Sequence, residues 1–429
     1  MNYISDLLQF LANSPCNFYA VKNVADKLEQ SGFSELDTRK PWILKPGDKR
    51  FIIKNGTALF AFVVGSKPEA GWKIISSHSD SPGFRIKPHP EMAVDNKILK
   101  LNTEVYGGPI LYTWFDRPLS LAGRVILRND NDVMEPRTVL VKWDEPLLTI
   151  PHLAIHYNRQ VNEGNPLSKQ KDMLPVIALI NDKFEKENFI LNLIAAKAGV
   201  KPEDILDFDL SLYDTSAPCL VGYHKEFISS GRIDDLMMVH SSLSAITETA
   251  DRPSEQTRVI AIFDNEETGS GTKQGAASPV LHNLLQRVNL ALGGTPESFL
   301  RAIDNSFMIS ADNAHALHPN YPEKQDPTNH PVPGAGPVIK INANCKYMTD
   351  GLTASIFEGI CRKAGVPVQR FVNHSDSAGG STLGNILTSQ IDLRGVDMGA
   401  AQWAMHSCRE TAGTADVEHT INAFSEFFS

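Results

Sequence analysis

Apolar positions along the chain fall into short runs separated by polar and acidic clusters. Near the start, Ile4, Leu7, Leu8 and Leu11 recur at helical spacing and predict a helix within MNYISDLLQFLANS. Ala58 to Val64 is the longest clearly apolar run and reads as a buried strand; it falls far short of the roughly 20 residues needed to cross a bilayer. Lys73 to Ser77, Val259 to Phe263 and Phe307 to Ser310 also read as strands. Each stops abruptly, at His78-Ser79-Asp80, at Asp264-Asn265-Glu266-Glu267 and at Asp312. Helical segments alternate with them: Ile233 to Thr249 carries Leu236, Met237, Leu243 and Ile246, and Leu352 to Lys363 carries Leu352, Ile356 and Ile360, with Gly365 as terminator. This alternation predicts an α/β fold with a mixed, largely parallel sheet covered by helices. Ligands in such sheets bind just beyond the carboxyl ends of the strands, so three such endings point to one shared site.

The stretch from about Glu91 to Phe227 has a different texture. Short β-leaning runs, Ile110 to Phe115, Gly123 to Leu127 and Thr138 to Val141, are separated by turn signals such as Asn129-Asp130-Asn131-Asp132. It reads as an inserted β-rich second domain over residues 91–227, splitting the principal domain into 1–90 and 228–429. His318 to Pro337 is rich in proline and predicts an irregular loop held by its surroundings.

Composition narrows the picture. With 429 residues, 42% hydrophobic and 21% charged, the chain is long enough for two or three domains and a sizeable core. The net charge of -9 is spread along the chain with no Lys/Arg block, which argues against nucleic acid as a partner. The N-terminus lacks the positive start and apolar core of a secretory signal. The five cysteines, Cys16, Cys219, Cys345, Cys361 and Cys408, are odd in number and form no CxxC pair. Reduced thiols and a cytoplasmic protein, with no membrane partner, are therefore expected.

Histidine and carboxylate side chains are the ligands that hydrolases offer to zinc, and a catalytic site leaves one position open for water. Two-metal sites hold their ions about 3.5–4 Å apart, close enough for one carboxylate to touch both. The candidates are His78 in HSDSP, Asp234 in GRIDDL, Glu267 in DNEETGS, Asp312 in SADNAHALHPNY and His406 in MHSCRE. A lone histidine or acidic pair is more often a core residue or a helix cap. Five such motifs on one chain, three of them after strand-like runs, form a constellation. Asp80, two residues past His78, is placed to accept that histidine's other ring N–H and fix its tautomer. The segment Ala378-Gly379-Gly380-Ser381-Thr382 lacks the lysine of a phosphate-binding loop and reads as a backbone turn.

These motifs, together with IPHLAIH at Ile150 to His156 and GPVIKINANCKY at Gly336 to Tyr347, resemble the aspartyl aminopeptidase family of dizinc exopeptidases over essentially the whole chain. The resemblance implies a zinc-exopeptidase-like fold and two Zn2+ per subunit, with Co2+ or Mn2+ as substitutes. One ion would be held by His78, Asp234 and Asp312, the other by Asp234, Glu267 and His406, with Asp234 as the bridge. Glu266 is then the general base acting on a bridging water, and the Asp234-Asp235 peptide is expected to be cis. The substrates implied are short peptides with an N-terminal Asp or Glu. Lys340 would meet the acidic side chain, and His315, His318 and Tyr347 would line the pocket. His152 resembles a histidine delivered from a neighbouring subunit. For Lys340 a snorkelling strand lysine is the alternative, for His315, His318 and Tyr347 a structural residue of the loop or strand that carries each, and for His152 an ordinary loop histidine. The assembly implied is a tetrahedral homo-dodecamer of dimers, with the inserted domain making the dimer contact.

Two other readings compete. A dizinc carboxypeptidase or deacylase shares such ligands and needs an arginine to grip a substrate carboxylate, for which Arg85, Arg232 and Arg409 are available. An aminopeptidase preferring neutral residues fits the same metal site.

Overall fold

The computed structural model describes residues 2–181 and 188–429; Met1 of the N-terminal stretch and residues 182–187 of the β-rich stretch lie outside the described residues. The chain divides into two compact units. One comprises Met1–Ser81, Pro218–Met405 and Glu410–Ser429, and the other Pro82–Ala217 with His406–Arg409.

The first unit is built on a nine-stranded mixed sheet. Its strands run in the order Ser34–Glu35, Lys49–Lys54, Ala58–Val63, Thr257–Phe263, Trp72–His78, Phe307–Ala311, Arg394–Gly399, Val338–Ile341 and Gln369–Val372. The central four after Ala58–Val63 are mutually parallel. They are apolar on both faces because both faces are covered. Ile75, Ile260, Ile262 and Ile309 enter one core with the helices Tyr3–Asn13, Ile233–Thr249 and Ala415–Phe428. Ile74, Val259, Ala261 and Met308 alternate into a second core with Val280–Ala291 and Pro296–Asp304.

The helical expectations follow the same logic. In Tyr3–Asn13, Leu7 and Leu11 are buried, with Ile4 and Leu8 packed at the margin. The helix Gly351–Ala364 ends at Gly365 with φ 69°, a left-handed position that glycine adopts without a Cβ clash. Ile233–Thr249 is buried almost all round. Its polar positions are accommodated because Ser241 and Thr249 donate to the carbonyls of Met237 and Ala245, four residues back.

A five-stranded sheet in the same unit joins Cys219–Val221, Phe227–Ser230, Glu410–Gly413, Ala401–Trp403 and Ala314–His315. The second unit carries a six-stranded antiparallel sheet in the order Arg137–Lys142, Leu119–Leu127, Ile205–Asp214, Gly83–Val94, Ile98–Tyr106 and Val176–Leu179. One sequence expectation fails here: Ile110 to Phe115 is not a strand but contains a 3-10 turn at Leu111–Trp114. Bounded by Pro109 and Pro118, the segment turns on itself, with the Thr113 N–H and hydroxyl both donating to the Ile110 carbonyl. Trp114 is thereby buried edge-on against Phe84, ring centroids 5.0 Å apart.

All five cysteines are free thiols. Among the described residues no helix is long and apolar enough to cross a membrane.

Candidate metal centre

Three parallel strands end side by side. Phe263 is in register with His78 and Ser310 with Ser76, so the residues that follow these strands emerge along one edge of the sheet. His78 is the last residue of its strand, Asp312 follows Phe307–Ala311 directly, and Glu266 and Glu267 lie on a 3-10 turn just past Thr257–Phe263. Asp234 comes from another direction, at the start of the long buried helix. There Asp234 and Asp235 have non-helical backbone angles and their shared peptide is cis.

His78, Asp234, Asp235 and Asp312 offer ligand atoms that all lie within 4.8 Å of one another, as do those of His78, Glu266 and Glu267. The His78 Nε2 atom is 3.3 Å from Asp234 Oδ1 and 3.9 Å from Asp312 Oδ1. Its Nδ1 is hydrogen-bonded to the backbone carbonyl of Asp80, at 3.0 Å, with the Asp80 carboxylate at 3.4 Å. That carboxylate also accepts the backbone N–H groups of Glu266 and Glu267, both at 3.2 Å, and so anchors the turn that carries them.

The electrostatics suit a cation. Burial raises the pKa of Asp235 well above the usual carboxylate range; Asp312 and Asp234 raise it further, against the opposing pull of His78. Burial, reinforced by Asp234 and Glu266, does the same to Glu267, and Glu266 is pushed up to about 8. His78 is shifted well upward: burial opposes its charge, but Asp235, Asp234, Asp312 and Asp80 outweigh it. Asp235 Oδ1 is buried without a hydrogen-bond partner among the described residues. Crowded, poorly hydrated oxygen and imidazole donors of this kind are what a divalent zinc ion requires.

The remaining candidates fall in several places. Lys340 is buried on Val338–Ile341, donates to Asp312 Oδ2 at 3.1 Å and lies 5.8 Å from the centre of the Tyr347 ring. His315 is exposed, its ring 6.1 Å from that of Phe371, and His318 packs 5.1 Å from Tyr321. His406 opens the short piece that belongs to the second unit, where its Nδ1 lies 3.0 Å from the Gly108 carbonyl oxygen. His152, also in that unit, sits edge-on to Phe115 with ring centroids 4.5 Å apart.

Residues that sequence reasoning missed hold the ligands in place. Asp235 Oδ2 accepts the His78 backbone N–H at 3.1 Å. Glu410 accepts the Asp234 N–H at 3.0 Å and is itself approached by Gln402, while Asn313 ties Gln402 to the carbonyl of Ile233. The pairing of Ser230 with Glu410 brings that glutamate to the start of the Asp234 segment. In sequence, the only signal was that Glu410 closes the MHSCRE motif.

The arginines needed by the carboxypeptidase reading are engaged elsewhere. Arg85 stacks 4.4 Å over Tyr106, Arg232 donates to the carbonyls of Ser14 and Leu11, and Arg409 donates to those of Ser216 and Ala217.

Residues 10–428 match the family described as Aminopeptidase I zinc metalloprotease (M18). The chain is 49% identical over 431 residues to the probable M18 family aminopeptidase 2 of Clostridium acetobutylicum, covering 100% of this chain and 99% of the relative. A chain of the Ape4 and Nbr1 complex superimposes with a TM-score of 0.95 at 35% identity, over 100% of this chain and 85% of that one. The S. cerevisiae mApe1 dodecamer gives a TM-score of 0.86 at 27% identity, over 99% and 96%. With the carboxypeptidase and deacylase readings thereby set aside, the chain belongs to the M18 family of zinc metallo-aminopeptidases, hydrolases that release residues from the N-termini of peptides.

Proposed function

We propose that this aminopeptidase holds two zinc ions per subunit and releases N-terminal Asp or Glu from short peptides in the cytoplasm. His78, Asp234 and Asp312 would hold one ion, and Asp234, Glu267 and His406 the other. The observation that carries this reading is the buried cluster in which ligand atoms of His78, Asp234 and Asp312 lie within 4.8 Å of one another. For His406, the hydrogen bond from Nδ1 to the Gly108 carbonyl keeps the lone pair on Nε2, as ligation through that atom requires.

When bound, the ions would supply Lewis acidity, lowering the pKa of the attacking water and polarising the scissile carbonyl. Glu266 is the general base. Its carboxylate takes a proton from the attacking water and returns it to the leaving amine. Asp80 orients Glu266 and Glu267 through their backbone amides.

Preference for an acidic first residue rests on Lys340. An ammonium has three donors; one meets Asp312, and the other two can meet a substrate carboxylate beside Tyr347. A preference for neutral residues is the second reading, favoured by the same Asp312 contact, which already balances the lysine charge.

Zinc content by native mass spectrometry, with hydrolysis of a panel of aminoacyl chromogenic substrates with and without chelator, tests the whole reading. Glu266→Gln is expected to keep both ions and lose about 10²–10⁴ in rate. A single ion, or near-normal turnover of that variant, would overturn the mechanism. For selectivity, Lys340→Ala should lose rate on Asp and Glu substrates more than on neutral ones; equal losses would leave the neutral reading standing.

A tetrahedral dodecamer of dimers extends the proposal, with residues 91–227 making the dimer contact and His152 serving a neighbour's site. The dodecamer of mApe1, similar over nearly the full chain, supports it. Co-assembling Glu266→Gln with His152→Ala subunits should restore activity that neither variant has alone. A mass below that of twelve chains, or no restoration, would count against this arrangement.

A further inference from the structure

A cavity of about 420 Å³ opens in the first unit between Lys49–Lys54, the segment around Thr38 to Trp42 and the first turn of Val280–Ala291. Lys54, Lys273 and Arg287 all line it, and no Asp or Glu does among the described residues, in a chain whose net charge is -9. Arg287 is fixed as a flat plate: its guanidinium lies 3.7 Å from the centre of the Trp42 ring and donates to the carbonyls of Thr38 and Lys40, at 2.8 and 2.7 Å. These partners are neutral, and among the described residues no carboxylate pairs with it. Burial, and then the charge of Arg287, lower the pKa of Lys54, so these two cations repel one another. The helix behind them begins after Pro279, with the Val280 N–H accepted by Ser278 Oγ at 3.4 Å, and adds its positive end to the same wall.

Arranging like charges in this way costs stability unless an anion compensates them. We propose that this cavity is a binding site for a small polyanion bearing phosphate groups, held by Lys54, Lys273 and Arg287 at a position separate from the zinc ligands. The Arg287 N–H groups not taken by Thr38 and Lys40 can donate to phosphate oxygens, and the two lysines supply point charges. A cavity of this size takes a ligand larger than a single phosphate.

The test is lysine labelling of the zinc-loaded enzyme, read residue by residue by mass spectrometry, with pyrophosphate as probe. The lowered pKa makes Lys54 more reactive than an ordinary lysine. Pyrophosphate should suppress labelling of Lys54 and Lys273 several-fold and leave the exposed Lys97 unchanged. Site-resolved labelling separates this cavity from any pyrophosphate bound at the zinc site. In Arg287→Gln the concentration needed for protection should rise at least about tenfold, while peptidase activity without pyrophosphate stays normal. Lys273→Gln, read at Lys54, gives the same comparison should Arg287→Gln fail to fold. Undiminished labelling of Lys54, or equal suppression by sodium chloride at matched ionic strength, would overturn the proposal.

Discussion

The Lys340 ammonium lies 3.1 Å from Asp312 Oδ2, with both side chains closed off from water. Burial alone would neutralise each group. Their mutual attraction outweighs it, holding the Asp312 carboxyl well below the usual carboxylate range and Lys340 above the ordinary lysine value. Removing one partner of such a pair leaves a buried charge uncompensated, at a cost of about 3–5 kcal/mol. Lys340→Met is therefore expected to destabilise the metal-free protein by that amount and to lose less once zinc is added. Urea unfolding with and without zinc reads both values, and an unchanged metal-free midpoint would show that the pair does not contribute.

How much of this was legible in the sequence depends on what kind of residue is considered. His78 and Asp312 could be found because an apolar run stops at each, and strand ends are where a parallel sheet exposes side chains. Asp234 was legible only through its motif, since nothing in helical periodicity announces the non-helical backbone at Asp234 and Asp235. Asp235, Asn313 and Glu410 were illegible because they act on backbone groups, and Gln402 because it acts only through Asn313 and Glu410; a polar residue that serves a buried amide looks like a surface residue until the chain is folded. Asp80 shows the limit in another way. Its spacing from His78 was informative, but a turn of two residues brings its main-chain oxygen closer to the ring than its carboxylate.

Glu410 gives the second prediction. Its carboxylate accepts the Asp234 amide at 3.0 Å, directly beside a non-helical backbone position. Glu410→Ala leaves that buried N–H unsatisfied, which costs about 1–3 kcal/mol. It should also release Asp234 and weaken zinc binding, whereas Glu410→Gln keeps an acceptor oxygen and should recover most of both. Zinc titration by calorimetry alongside thermal unfolding distinguishes the two effects. Full zinc affinity in Glu410→Ala would mean that the contact does not position Asp234.

Close packing around Asp312 gives the third. A Cβ added at Gly399 would lie 1.9 Å from the Asp312 carbonyl oxygen, a backbone atom with no freedom to swing away. Gly399→Ala must push the Arg394–Gly399 strand and the Asp312 segment apart, although the Asp312 N–H is tied to the Met398 carbonyl at 2.9 Å. Overpacking of this kind costs about 1–3 kcal/mol. A fall in melting temperature with weakened zinc binding is expected, while Gly271→Ala, with nothing within 4 Å of its added Cβ, should change neither.

Crowded carboxylates also dictate how the metal-free protein responds to pH. Glu266 is pushed up to about 8, with burial the largest cause and Asp312, Asp234 and Asp80 adding to it. Glu267 and Asp235 are displaced in the same direction. A carboxyl whose pKa is raised on folding holds its proton more tightly in the folded chain than in the unfolded one. Its penalty is absent at acid pH and grows as pH rises above the ordinary glutamate range. It reaches its full size near pH 8, at most on the order of a few kcal/mol for Glu266. Metal-free protein should thus lose stability on going from mildly acid solution to about pH 8, and zinc, which binds the ionised carboxylates, should remove that loss. Melting curves across this window, with chelator and with zinc, carry the comparison. If the chelated protein proves more stable at the alkaline end, the carboxylates are not crowded as described and the case for a shared cation site is lost.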